Sequence, residues 1–287
     1  MKKILVVENI NAGKKNAVSA DKIIEEFYLG KDVELNIVGI EDISEDAVKN
    51  SDVIITVGGD GTVNKVVPFA MKFDKPIGVI PCGTANLLSA KLKIPTDFKK
   101  ALQVIENGQK LKIDVLKVND NYSVLRTGFG YDADIICKTP QSLKNKFGYF
   151  SYFVAGVLFA LRLKQQVYHL TYDNDKKLSV LATCLIIANA GNMYKNVVSI
   201  SKNCRLDDGK FDVFILKVKN PILFFIEFLQ IIFDKKSSNS KAMYFQTKNI
   251  SIKNDYCVCH IDGEKQKIRD NIKIETIPCA VYVFSNF

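Results

Sequence analysis

The sequence predicts two domains, an N-terminal doubly wound α/β domain and a C-terminal β-sandwich-like domain, and three observations carry that reading. At 287 residues the chain is long for one hydrophobic core and ordinary for two. Its first hundred residues alternate short β-branched runs with longer amphipathic ones, the pattern of a mostly parallel sheet. From Leu111 onward that alternation gives way to a succession of strands. Apolar residues make up 47% and charged residues 25%, a globular balance that leaves no room for a long disordered tail.

Taken in order, residues 4–7 read as the first strand. Two lysines precede them, but only four apolar residues stand before Glu8, too few for a signal-peptide core. A helix from about Lys14, a strand at 33–40, a helix near Glu45, a strand at 53–57, a helix from Val63 and a strand at 77–80 complete a βαβαβαβ series. The period changes near 110–120, which divides the chain at 1–115 and 116–287, with the C-terminal tail a candidate to return to the first domain. Beyond it, strands are expected at 113–118, 179–189, 211–218, 243–253 and 280–284, and helical inserts near 143–164 and 220–233. The inserts hold the most apolar stretches, yet Arg162 and Glu227 interrupt or bound them. Both fall short of the roughly 20 residues a span requires, so core helices are expected, membrane contact being the other reading.

Seven cysteines lie scattered, mostly in apolar runs, which predicts buried thiols in a reducing, cytoplasmic compartment. The spacing of Cys257-Val258-Cys259-His260 is too tight for a zinc knuckle. Residues 1–100 carry 14 basic and 14 acidic side chains and the remainder 26 and 17, so the whole net charge of +9 lies in the C-terminal part. A basic half of this kind attracts an anionic membrane surface. Nucleic acid is disfavoured, because arginines are few and no aromatic-interleaved basic motif is present.

Three glycine-bearing turns follow successive strands of the first domain: Asn9-Ile10-Asn11-Ala12-Gly13, Gly58-Gly59-Asp60-Gly61-Thr62 and Pro81-Cys82-Gly83-Thr84-Ala85-Asn86. All fall at the carboxyl edge of the sheet, where ligands of open α/β sheets bind. Glycine lets backbone approach a phosphate, and the following helix offers unpaired N–H groups, so a polyphosphate suits the place. No Gly-Lys-Ser/Thr closes any of these turns, which excludes a Walker loop. Asp60 is open to several roles: accepting from a sugar hydroxyl or its own loop, joining a metal–water network, or capping the helix at Val63. Asp207-Asp208-Gly209, between Arg205 and Lys210, sets two carboxylates beside a turn glycine, which suits a hard cation but is commoner as a plain β-turn. Asp262-Gly263-Glu264 is a second acidic turn, with His260 an ordinary strand histidine and Lys265 and Lys267 either steadying phosphate or facing water.

These motifs, with Ile113-Asp114-Val115, Gly128-Phe129-Gly130-Tyr131-Asp132-Ala133, Phe147-Gly148-Tyr149 and Asn189, occur in the order found in the diacylglycerol kinase catalytic-domain superfamily of lipid kinases, which the chain resembles over nearly its whole length. The resemblance implies a nucleotide-binding α/β domain, ATP as donor, Mg²⁺ and a lipid hydroxyl as acceptor. By it, Asn9, Asn11, Gly13, Gly58, Gly59, Asp60, Gly61, Thr62, Asn64, Gly83 and Thr84 would line the nucleotide. Asp208, with the carbonyls of Arg205 and Lys210 and with Asp207 beside it, would hold the metal, and Glu264 or Asp262 would take the proton of the lipid hydroxyl. The chain departs from the family pattern at Ile10, where proline is usual, at Lys65, where glutamate is usual, at Leu87, where Asp or Asn is usual, and across Ser201–Cys204. Lys65 and Leu87 motivate an alternative, a catalytically silent nucleotide- or lipid-binding homologue. An NAD-kinase-like or phosphofructokinase-like enzyme shares the Gly-Gly-Asp-Gly turn but not the C-terminal motifs. The expected setting is cytoplasmic, peripheral at the inner membrane surface, with an apolar edge strand leaving room for a homodimer.

Overall fold

The computed structural model describes residues 1–9, 20–140, 142–143, 150–160, 163–173, 175–190, 192–194, 198–199, 205–232, 241–254, 258–267 and 271–287. They form two compact units, Met1–Ile113 with Cys279–Phe287, and Asp114–Pro278.

In the first unit the parallel strands β1 (Lys2–Glu8), β2 (Val33–Gly39), β3 (Val53–Gly58) and β4 (Ile77–Pro81) lie in the order β2-β1-β3-β4. β1 therefore sits between β2 and β3, pairing Leu5 with both Asn36 and Ile54. The strand order reverses there, which opens a crevice outside the carboxyl ends of β1 and β3. Every residue of β3 and β4 is buried, as expected of strands covered on both faces. The helices are α1 (Ala20–Tyr28), α2 (Glu45–Lys49), α3 (Asp60–Phe73), α4 (Leu87–Lys91) and α5 (Phe98–Asn107). Side-chain caps start two of them: Ser44 Oγ accepts from Ala47 N at 3.2 Å, and Asp97 Oδ1 from Lys100 N at 2.9 Å. α5 packs so tightly on β4 that a Cβ on Gly78 would lie 2.7 Å from Ile105 Cδ1. Val283 pairs in parallel with Ile77 at the end of the chain.

α3 begins at Asp60, not at Val63 as the sequence suggests. Gly59 takes the N-cap in an extended conformation, and its carbonyl accepts the amides of both Thr62 and Val63. The helix start expected near Lys14 lies outside the described residues.

β5 (Gln109–Val118) and β18 (Ile272–Ser285) contribute residues to both units. The second unit holds β6 (Asn121–Ser123), β7 (Arg126–Gly130), α6 (Tyr131–Lys138), α7 (Phe150–Ala160), β8 (Gln166–Tyr172), β9 (Lys176–Ala182), β10 (Cys184–Ala188), β11 (Asn192–Tyr194), β12 (Val198–Ser199), β13 (Phe211–Leu216), α8 (Pro221–Ile232), β14 (Ala242–Thr247), β15 (Asn249–Lys253), β16 (Val258–Ile261) and β17 (Glu264–Lys267). One antiparallel sheet runs β14-β13-β10-β7-β16-β17, and in the other the first part of β18 pairs with β15, which pairs with β8 and that with β9. Between them lies one apolar core that includes Phe129, Tyr168, Leu185, Ile187, Phe211 and Ile252, with Phe129 edge-on to Tyr168 at 6.5 Å. The alternate residues of β10, Cys184, Ile186 and Ala188, face a second cluster around Phe224 of α8. β10 is thus buried on both faces, which is why it reads as an unbroken apolar run.

The runs at 179–189 and 243–253, expected as single strands, each supply one strand to each sheet, with breaks at Thr183 and Lys248. Thr183 donates its amide to Leu216 O at 2.8 Å and its hydroxyl to Val218 O, which carries the chain from one sheet to the other. Both halves of each run are strand-like, so no change of period marks the corner. Among the described residues no helix is long and apolar enough to cross a membrane.

Candidate active site

In the first unit, the turns after β3 and β4 are locked together. A Cβ on Gly58 would lie 2.2 Å from Thr62 Oγ1, so Thr62, itself buried, folds back on a residue without a side chain. Asn9, at the end of β1, donates its amide to Val57 O at 3.1 Å and its Nδ2 to Thr62 Oγ1 at 3.3 Å. Asn86, at φ +50°, ties its turn by accepting from Gly83 N at 2.9 Å and donating to Gly83 O at 2.8 Å. Asp60 does cap a helix, but α4 and not its own: its two carboxylate oxygens accept from Leu87 N and Leu88 N, each at 3.0 Å. The side chain at 87 has no part in that contact, so the leucine found there leaves it intact.

This turn block presents the first turn of α3, where Thr62 N and Val63 N donate to Gly59 O and the amides of Asp60 and Gly61 come before the first intrahelical bond. Gly61 and Asn64 lie in that helix start, and Thr84 is exposed on the neighbouring turn. Asn11 and Gly13 lie outside the described residues, as does Ile10. Lys65 pairs with Glu41 at 2.8 Å, both exposed, so a carboxylate one turn beyond β2 accompanies the lysine found in place of glutamate. Glu8, which sequence reasoning passed over, is buried at the carboxyl end of β1. Burial foremost, and the neighbouring Asp21, push its carboxyl up to about 7.

The second unit holds two acidic turns. In the first, Gly209, at φ +68°, donates its amide to Asp114 Oδ2 at 2.6 Å, while Asp114 N donates to Leu206 O at 2.6 Å. Asp114 is fully buried, and only contact across 95 residues reveals it as the anchor of this turn. The two adjacent carboxylates have different partners. Asp207 accepts from the Arg205 guanidinium at 3.1 Å and 3.2 Å. Asp208 accepts the Lys210 amide at 3.1 Å. Its carboxyl is raised by burial foremost and by the charges of Asp212 and Asp114, with the Lys210 amide acting against them. Excess negative charge around a single carboxylate fits Mg²⁺, which takes one or two carboxylates with water and phosphate oxygens. Among the described residues, no three Asp, Glu, His or Cys side chains gather in a group that could hold an ion.

The second acidic turn joins β16 to β17, with Asp262 at φ +47° and Gly263 at φ +95°, the left-handed pair of a two-residue hairpin. Asp262 is far from an ordinary turn residue. Its Oδ1 accepts from Ser123 Oγ at 2.6 Å, Arg126 N at 2.8 Å and Leu125 N at 3.1 Å, and its Oδ2 from Val124 N at 2.7 Å. Burial lifts its carboxyl above the usual range, outweighing these donors. Glu264 is exposed at the start of β17. His260 is fully buried, which removes it from any direct contact with substrate.

The family model described as diacylglycerol kinase catalytic domain matches residues 3–118, and the one described as YegS C-terminal NAD kinase beta sandwich-like domain matches residues 126–285. Among curated proteins, diacylglycerol kinases of Staphylococcus aureus strains JH9 and Newman are 35% identical over 175 residues, 60% of this chain and 55% of theirs. The chain thus spans about half the length of the curated relatives it matches. Among solved structures, a diacylglycerol kinase of Bacillus anthracis superposes with a TM-score of 0.74 at 18% identity, over 99% of this chain and 97% of the other. An NAD kinase of Archaeoglobus fulgidus in complex with ATP gives 0.56 at 16% identity, over 99% and 94%. At these identities the solved structures share a fold with this chain.

Proposed function

We propose, because the chain belongs to the diacylglycerol kinase catalytic-domain family, that it is an ATP-dependent lipid kinase, transferring the γ-phosphoryl group to a lipid hydroxyl such as that of diacylglycerol. The observation that carries this reading is the Asp262 carboxylate, oriented by four donors and lifted by burial. A general base needs a fixed orientation and a pKa nearer the working pH than a free carboxylate has. Oδ2 accepts one amide against three donors to Oδ1, so Oδ2 is the oxygen assigned to the incoming proton. As the hydroxyl O–H bond breaks towards Asp262, the oxygen forms its bond to the γ-phosphorus and the β–γ bridging bond breaks, leaving ADP. Glu264, exposed beside it, contributes negative charge at the rim rather than the base itself.

The turn block of Asn9, Gly58–Thr62 and Gly83–Thr84 is read as the triphosphate cradle, its rigidity fixing the donor before transfer. Mg²⁺, when bound, would sit at Asp208 and neutralise charge on the phosphates. Access to lipid is read from the second unit, where Ile222, Leu223 and Ile226 of α8 are exposed, as are Val157 and Leu158 of α7. Lys217, Lys219 and Lys241 flank α8 in sequence, which suits an anionic bilayer surface.

The test is ³²P transfer from ATP to a panel of diacylglycerol, ceramide, sphingosine and phosphatidylglycerol in mixed micelles, with NAD as a further acceptor. Mg²⁺-dependent labelling of one lipid is expected. Labelling of NAD alone would replace the reading, and ATP binding without labelling of any acceptor would favour a silent homologue.

A further inference from the structure

The Gly128-Phe129-Gly130-Tyr131-Asp132 run takes no part in the chemistry above, yet it builds a buried ionic cluster against the Asp262–Glu264 hairpin. Asp132, on the first turn of α6, places Oδ2 2.7 Å from His260 Nε2 and Oδ1 3.5 Å from Arg126 Nη2. All three side chains are at least nine-tenths buried. Gly128 is the register partner of His260, and a Cβ on it would lie 2.0 Å from Asp132 Oδ2 and 2.4 Å from His260 Nε2. Gly130, at φ +65°, turns β7 into α6 two residues before the acid. Gly128 is therefore required by the cluster, and Gly130 by the turn that delivers Asp132 to it.

The proton on the imidazole can be assigned. Gly263 N lies 3.3 Å from His260 Nδ1, and an amide can only donate, so Nδ1 is bare and the ring proton sits on Nε2, donated to Asp132. Although burial opposes it, Arg126 and His260 hold the Asp132 carboxyl down at about 2, so it stays an ionised acceptor. Arg126 also grips the hairpin through its backbone: its amide donates to Asp262 Oδ1 at 2.8 Å and its carbonyl accepts Asp262 N at 3.0 Å.

We propose that Arg126, Asp132 and His260 are positioning residues for the hairpin base: Asp132 sets the His260 tautomer, His260 holds the Gly263 amide, and Arg126 sets the Asp262 carboxylate from the other side. The effect on turnover rests on the kinase reading; the tautomer and the Gly263 contact do not.

The chain has two histidines, His169 and His260, so ¹⁵N-histidine spectra of the full chain are readily assigned. The expected wild-type state has Nε2 protonated and Nδ1 bare at His260. In Asp132→Asn the carboxamide can donate to Nε2, which drives the ring proton to Nδ1 and expels the Gly263 amide. That variant should show the flipped tautomer, faster Gly263 amide exchange, and a kcat lower by about 10- to 100-fold, as loss of a supporting contact gives, with KM for ATP within about twofold. Should Asp132→Asn fail to fold, His260→Asn, whose Oδ1 replaces Nδ1, should retain more activity and more Gly263 protection than His260→Gln, whose amide replaces Nε2. A wild-type ring protonated on Nδ1 overturns the proposal. So does a flipped tautomer with Gly263 exchange and kcat unchanged, or equal behaviour of the two His260 variants. If the wild type phosphorylates no acceptor, the kinase reading fails and the spectra and amide exchange still decide the positioning.

Discussion

Gly83 meets Gly59 backbone to backbone: a Cβ on Gly83 would lie 2.4 Å from Gly59 Cα, and one on Gly59 3.0 Å from Gly83 Cα. Two of the glycines at the carboxyl edge of the sheet are thus required by each other, independently of any phosphate they cradle. Gly83→Ala meets Gly59 backbone, which cannot swing aside as a side chain can, and should destabilise the first unit by roughly 1–3 kcal/mol, as overpacking does. Chemical denaturation with a Gly83→Ala midpoint equal to wild type would refute the close approach.

Asp60 bridges the same gap. Asp60→Ala removes the partners of the Leu87 and Leu88 amides and should cost about 1–2 kcal/mol, the scale of a lost N-cap. Unaltered stability combined with lost transfer would mean that its work lies with the nucleotide and not with α4.

How far the sequence reached depends on the range over which a residue acts. β1 to β4 and the helices α2 and α3 were legible, because each is a local run whose period needs no partner. The corners at Thr183 and Lys248 were not, since strand-like residues continue through both. The glycine turns were placed at the carboxyl edge of the sheet, but no local signal shows that Gly59 and Gly83 also make room for each other. The helix considered for an Asp60 cap was its own, because α4 lies 27 residues on. Asp114 and Asp132 were seen only as motif letters; their partners, Gly209 and His260, stand 95 and 128 residues away. Asp262 and Glu264 look alike in the local sequence, and their different surroundings appear only once Ser123 to Arg126 fold over the former.

Glu8 should leave a trace in stability against pH. Its carboxyl titrates near about 7 when folded, above the ordinary 4.5, so between those values the folded chain keeps a proton that the unfolded chain has released. The associated stability is fully present below about pH 4.5 and is lost as pH rises towards 7, by at most about 1.4 kcal/mol per unit. Urea denaturation across that window should show a shallower decline in Glu8→Gln than in wild type. Parallel curves for the two would contradict the assignment.

Ile222, Leu223 and Ile226 are exposed, so replacing all three with serine should leave the fold unchanged while weakening sedimentation with phosphatidylglycerol vesicles by about tenfold or more. Wild-type binding should also fall as salt is raised. Vesicle binding indifferent to the three serines and to salt would place the lipid contact elsewhere.

The most direct test of the account compares phosphoryl transfer from ATP to a lipid hydroxyl by wild type, Asp262→Asn and Glu264→Gln, in mixed micelles with Mg²⁺. With Asp262 as the base, wild type transfers phosphate, Asp262→Asn loses about 100-fold or more with ATP still bound, the scale of a removed general base, and Glu264→Gln loses less. Transfer that survives in Asp262→Asn and disappears in Glu264→Gln would contradict that assignment.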